Sequence, residues 1–88
     1  MYTYEIIPSL QRTLNKLSKK DKKTYEAVMD KIEEILENPQ HYKPLKYDLA
    51  GERRVHIMKS FVLKFEVDEQ RKTVIFISFS HHDDAYRK

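Results

Sequence analysis

Residues 53–79 read RRVHIMKSFVLKFEVDEQRKTVIFISF, and most of the predicted sheet lies in this part of the chain. Apolar and polar side chains alternate in three runs, about 53–59, 61–67 and 73–79, and the polar segment DEQRK separates the last two. Such alternation is typical of half-buried β-strands, and short connections favour antiparallel pairing of neighbours. The stretch therefore predicts an antiparallel meander of three strands.

The residues before the meander predict one further strand and two helices. The N-terminal YTYEIIP is rich in aromatic and β-branched residues and ends at Pro8, which indicates a short strand. Three leucines then recur at helical spacing. Ser18, with Asp21 three residues on, has the pattern of an N-cap and predicts the start of a second amphipathic helix. That helix is expected to end at Asn38-Pro39.

The order β-α-α-β-β-β predicts an α+β fold, with an antiparallel meander sheet and a helical hairpin packed on one face. The length of 88 residues fits a single domain over residues 1–88. If the apolar side chains of the meander face the helices, the alternation places Arg54, His56 and Lys64 on the opposite face. That face is expected to be open to water.

The C-terminal segment SHHDDAYRK follows the last predicted strand. Folded back over the open side of the sheet, it would bring His81, His82 and Tyr86 to the three basic side chains there. Because adjacent residues on an extended chain point in opposite directions, one histidine of the pair is expected to enter this cavity, and we favour His82. His and Asp also bind zinc or manganese, but the sequence offers no second ligand cluster, so we expect no metal.

Composition limits the classes of function. There is no cysteine, which excludes a disulfide framework and a thiolate metal site. Lys and Arg number 17 against 14 Asp and Glu, a net charge of +3, which leans toward a polyanionic partner. The N-terminus lacks the pattern of a signal peptide, and no apolar run approaches the roughly 20 residues that span a bilayer. We expect a cytoplasmic protein without a membrane partner.

Three phrases carry a resemblance to a known family. KPLKYDLAGERRVHI has a leucine-rich approach to a glycine and then a basic strand, FVLKFEVDE is an aromatic and aliphatic strand that ends in an acidic turn, and TVIFISFSHHDDAYR is a last strand followed by a polar turn and a tyrosine. In this order and over nearly the whole length, the chain resembles the RelE/ParE superfamily, the toxins of toxin–antitoxin pairs.

The resemblance implies a specific activity. RelE-like members are endoribonucleases that cleave mRNA, typically in the ribosomal decoding site, and inhibit translation. They use no metal or cofactor: the ribose 2′-hydroxyl attacks the adjacent phosphate and leaves a 2′,3′-cyclic phosphate. The implied partners are mRNA, the ribosome and a cognate antitoxin, a short, acidic and partly disordered chain. Two alternatives remain open: a ParE-like inhibitor of DNA gyrase, and a catalytically inactive member that binds its antitoxin.

The resemblance also implies residue roles. Arg54 and His56 match two basic positions of the family, His82 matches a polar position after the last strand, and Tyr86 matches a near-terminal tyrosine. These four are the predicted catalytic residues, and the predicted RNA-binding residues are Lys64, His81, Lys19 and Lys20. The chain departs from the family pattern at Val62, where many members have an arginine.

Overall fold

A computed structural model describes residues 1–42 and 51–81 of the chain. The helices and strands, named in chain order, are β1 (Thr3–Ile6), α1 (Pro8–Lys20), α2 (Lys22–Glu37), a 3-10 helix (Pro39–His41), β2 (Glu52–Ile57), β3 (Phe61–Asp68) and β4 (Thr73–His81). This order confirms the predicted β-α-α-β-β-β arrangement. Within the described residues, no helix is both long and apolar enough to cross a membrane.

The four strands form one sheet in the order β1-β4-β3-β2. The pairs β2–β3 and β3–β4 are antiparallel, which confirms the meander. The prediction of a wholly antiparallel sheet is wrong, because β1 joins the edge of the sheet parallel to β4. Backbone hydrogen bonds fix this edge, from the Thr3 amide to the Lys72 carbonyl at 3.0 Å and from the Ile7 amide to the Phe76 carbonyl at 3.2 Å. The sheet is therefore mixed.

The helical hairpin covers one face of this sheet, as predicted. One cluster of buried side chains joins the helices to the strands: Leu10, Leu14, Val28, Ile32, Ile35, Leu36, Ile57, Leu63, Phe65, Val74 and Phe76. Because side chains alternate along a strand, the residues between these strand positions lie on the other side. We call that other side the open face.

The joint between the two helices differs from the prediction. Ser18 lies inside α1, and its hydroxyl donates to the Asn15 carbonyl at 2.7 Å. The N-cap of α2 is Asp21, whose carboxylate accepts from the Thr24 amide at 3.1 Å and from the Thr24 hydroxyl at 2.6 Å. These hydrogen bonds lower the pKa of Asp21. The prediction of Ser18 as the cap is wrong because α1 continues to Lys20, and Asp21 is the residue that accepts from an amide in the first turn of α2.

The adjacent arginines of β2 point to opposite faces of the sheet. The Arg53 guanidinium donates to the Pro39 carbonyl at 2.9 Å and to Gln40 Oε1 at 3.4 Å, so it ties β2 to the 3-10 helix that follows α2. Arg54 is the next residue and points to the open face. Arg53 is thus occupied in the fold, whereas Arg54 belongs to the face that the helices leave uncovered.

Candidate functional site

The register of β2 and β3 determines which side chains meet on the open face. Arg54 lies opposite Lys64, and His56 lies opposite Val62. Arg54 and Lys64 are half-buried, and His56 is exposed. The structure therefore brings together three of the predicted site residues on two neighbouring strands, with both cations side by side and the imidazole two residues along the same face.

Glu52, a residue that the sequence prediction missed, completes this group. Its Oε1 atom lies 3.7 Å from Arg54 Nε and 3.9 Å from Lys64 Nζ. Strand β2 begins at Glu52, one residue before the predicted start of the run, so the period-2 pattern Glu52, Arg54, His56 was present in the sequence. An earlier strand boundary would have identified the glutamate as a member of the site.

The open face is less exposed to solvent at Val62 than the strand pattern predicts. The exposed fraction of Val62 is 0%, although its strand position faces away from the helices. The buried cluster beneath the hairpin does not include Val62. The position at which many family members have an arginine is therefore occupied by a fully buried apolar side chain. The two cations of the open face, Arg54 and Lys64, form the neighbouring cross-strand pair.

His81 lies on the opposite side of the sheet from Arg54 and Lys64. Strand β4 continues to this residue, two positions beyond its predicted end, and His81 pairs with Phe61. The two rings meet edge to face with centroids 5.8 Å apart. Phe61 also stacks on Phe79, with centroids 5.0 Å apart. His81 thus belongs to an aromatic group on the helix side, and the structure does not bring it to the open-face cations.

The remaining predicted site residues lie elsewhere. His82 and Tyr86 are outside the described residues. Lys19 and Lys20 are exposed in the last turn of α1, where positive charge also complements the helix dipole. Their role in RNA binding stays a prediction.

The turn between β2 and β3 lies at the same end of the molecule as these lysines. The Met58 sulfur lies 3.6 Å from the Thr24 hydroxyl oxygen, at the start of α2. Met58 and Lys59 both have positive φ, 53° and 67°, a backbone conformation that residues other than glycine rarely adopt. The turn therefore holds Lys59 near the helical joint in a strained backbone, and it adds one more cation to that end.

An acidic surface lies on the outer side of α2. A cavity of about 330 Å³ there is lined by Asp30, Glu33, Glu34 and Glu37. Four carboxylates at helical spacing repel a polyanion. This surface of α2 is therefore unsuited to a polyanion, whereas Arg54 and Lys64 lie on β2 and β3.

Comparison with known proteins places the chain in a family. The sequence profile of the ParE toxins of type II toxin–antitoxin systems (parDE) matches residues 4–86. The chain belongs to this toxin family. A protein of Methanocaldococcus jannaschii, provisionally named toxin RelE4, is 58% identical over 88 residues, which cover 100% of this chain and 94% of the relative. The toxin is thus a member of the RelE/ParE superfamily, as its sequence predicted.

Solved structures show the same fold. The YoeB/ParE toxin from Agrobacterium tumefaciens superposes with a TM-score of 0.78 at 19% identity and covers 91% of this chain and 98% of that one. The RelBE2 toxin–antitoxin complex from Mycobacterium tuberculosis gives a TM-score of 0.74 at 24% identity over 92% of this chain and 91% of that one. The toxin therefore has a RelE-like α+β fold.

Proposed function

We propose that this toxin is an endoribonuclease that cleaves mRNA on the ribosome, in the cytoplasm, without a catalytic metal. The observation that supports the proposal is the cross-strand pair of Arg54 and Lys64 on the open face, with His56 on the same face. Cleavage of RNA by its own 2′-hydroxyl needs cationic donors at the phosphate and groups that move two protons. This face offers both kinds of side chain.

The chemistry divides between the phosphate and the two oxygens in line with it. A base removes the proton of the 2′-hydroxyl, the O2′–P bond forms, the P–O5′ bond breaks, and an acid protonates the departing 5′ oxygen. Arg54 and Lys64 stabilise the negative charge of the phosphorane. His56 is one of the two proton-transfer groups, and His82 is the proposed second. Tyr86 stacks on a base or assists proton transfer.

We further propose that a cognate antitoxin inhibits the toxin by covering the open face. The M. tuberculosis RelBE2 structure is a toxin–antitoxin complex of the same fold. Arg54 and Lys64 offer ion-pair partners to acidic side chains of such a chain. A short chain that is disordered when free folds along the sheet on binding.

A second candidate is inhibition of DNA gyrase. Two observations favour it: the matching profile is that of ParE toxins, and Val62 replaces an arginine that many RNA-cleaving members have. A gyrase inhibitor would need a protein-binding surface but no proton-transfer groups. The placement of His56 beside two cations is the reason to prefer the nuclease.

Induction of the toxin in growing cells distinguishes the two candidates. Primer extension on an abundant mRNA should show in-frame cuts for the wild type and fewer cuts for His82→Ala and Tyr86→Phe. Arg71→Ala is a suitable control, because Arg71 is an exposed arginine at the far turn of the sheet. Growth arrest with intact mRNA and a DNA-damage response would replace the nuclease with the gyrase inhibitor, and the absence of toxicity would favour an inactive member.

A further inference from the structure

Glu52 holds the place at which a phosphate would meet the two cations of the open face. The carboxylate lies two residues before Arg54 on β2 and shares its face. A single oxygen, Oε1, is within 4 Å of both cations, at 3.7 Å from Arg54 Nε and 3.9 Å from Lys64 Nζ. An anionic oxygen between two cations on adjacent strands is also what a bound phosphate would supply.

The environment makes this arrangement more than a surface ion pair. The side chains of Glu52, Arg54 and Lys64 are only 20%, 15% and 21% exposed. Charges shielded from water interact more strongly than fully exposed ones, since salt and solvent screen them less. Both distances exceed those of a hydrogen bond, so the attraction is Coulombic and does not lock the carboxylate into one geometry. An anion that binds the two cations more tightly, such as a phosphate, can therefore replace the carboxylate.

We propose that Glu52 is an affinity-determining residue of the open-face anion site: its carboxylate competes with the RNA phosphate for Arg54 and Lys64. The identity of the anion as RNA rests on the function proposed above, but competition at the pair of cations does not. Binding of a phosphate requires the carboxylate to withdraw. The wild-type protein therefore binds RNA more weakly, and with a smaller salt dependence, than its two cations alone would give.

The neighbouring strand provides a matched control. Glu66 is the direct cross-strand partner of Glu52, so both carboxylates lie on the open face. Glu66 is exposed and makes no ion pair within the described part of the chain. Glu52→Gln and Glu66→Gln remove the same charge from the same face, so a difference between them reports the contact with the cations and not the net charge.

The test measures by fluorescence anisotropy, at several salt concentrations, how tightly the variants bind a short 2′-O-methyl RNA. This RNA resists cleavage because its 2′-hydroxyls are methylated. Glu52→Gln should bind about tenfold more tightly than Glu66→Gln, equivalent to about 1.4 kcal/mol. Its plot of log affinity against log salt should be steeper by about one. Equal affinities for the two variants, or weaker binding by Glu52→Gln, would overturn the inference, the latter by showing that Glu52 positions the cations.

A second readout separates this inference from the proposed function. Inorganic pyrophosphate should raise the midpoint of thermal unfolding more for Glu52→Gln than for Glu66→Gln, because a ligand that binds the folded state stabilises it. If pyrophosphate distinguishes the variants while none of the proteins binds RNA, competition at Arg54 and Lys64 stands and the RNA substrate is wrong. Equal shifts in the two variants would contradict the competition, whatever the result with RNA.

Discussion

Arg54 of β2 and Lys64 of β3 are direct partners across an antiparallel strand pair, with both side chains on the open face. The buried residues on the opposite face fix this register, because a slip by one residue would turn Val55 and Leu63 out of the core. Packing beneath the helices thus determines the position of two cations on the other side of the sheet.

The two described histidines near the end of the sheet should differ in their effect on cleavage. His56→Ala is expected to lower the rate of mRNA cleavage about 100-fold or more, since it removes the proposed proton-transfer group on the face of Arg54. His81→Ala is the comparison: its ring contacts Phe61 on the helix side, so its rate should change less than about threefold. Equal losses in the two variants, measured in single-turnover cleavage on ribosomes, would contradict the assignment of faces.

An arginine at position 62 should destabilise the folded protein. Val62 is fully buried, so Val62→Arg places a charge at a position closed to solvent and should lower the free energy of unfolding by about 3 kcal/mol or more. Glu66→Arg places the same side chain on the same strand and face at an exposed position, and it should cost less than about 1 kcal/mol. Urea unfolding of both variants tests the difference. A Val62→Arg variant as stable as the wild type would show that this position is open to solvent.

The turn between β2 and β3 should gain stability from glycine. Lys59 has φ of 67°, and glycine adopts this region without the steric penalty of a side chain. Lys59→Gly is therefore expected to raise the free energy of unfolding by about 0.5–1 kcal/mol. Ser60→Gly serves as a control in the same turn, because Ser60 is not among the positive-φ residues and glycine there should only add entropy to the unfolded chain. Destabilisation by both substitutions would argue against the left-handed turn.

The cap at the joint of the helices should make the stability of the fold depend on pH in the acidic range. Hydrogen bonds from the Thr24 hydroxyl and amide lower the pKa of Asp21, so the folded state binds a proton less readily than the unfolded state. The contribution of Asp21 is then fully present above its ordinary pKa of about 4 and is lost as pH falls through the lowered value. Asp21→Ala should lower the unfolding midpoint at pH 7, and the difference from wild type should shrink in acid.

Asp30→Ala is the matched control for this cap. Asp30 is an exposed carboxylate in the middle of α2, where it cannot reach the first amides of the helix. Its removal should leave the unfolding midpoint at pH 7 almost unchanged, because alanine favours a helix interior. A loss equal to that of Asp21→Ala would mean that general charge on α2, and not the cap, sets the stability.

Local sequence patterns predicted the elements of this fold well and their partners less well. The period-2 runs gave all three strands of the meander within two residues, and Asn38-Pro39 gave the end of α2. The parallel pairing of β1 with β4 joins residues about 70 positions apart, such as Thr3 and Thr73. No local pattern encodes such a pairing, because it depends on how the helical hairpin returns the chain to the sheet.

The same distinction applies to the candidate site. Alternation alone placed Arg54, His56 and Lys64 on one face, and the register of β2 and β3 agrees. The complete burial of Val62 could not be predicted, since it depends on tertiary packing over a face that the strand pattern leaves open. Glu52 was missed because strand boundaries are the least reliable part of a sequence-based assignment.

Cleavage of a defined mRNA on ribosomes by the purified toxin tests the proposed nuclease activity. The substrates are one mRNA and the same mRNA with a single 2′-deoxynucleotide at the cleaved position, and mass spectrometry identifies the product ends. We predict a 2′,3′-cyclic phosphate from the first substrate, no cut in the second, and a rate about 100-fold lower for Arg54→Ala but unchanged for Arg71→Ala. Cleavage that persists at the deoxynucleotide, or the absence of any cut in the first mRNA, would contradict the proposed mechanism.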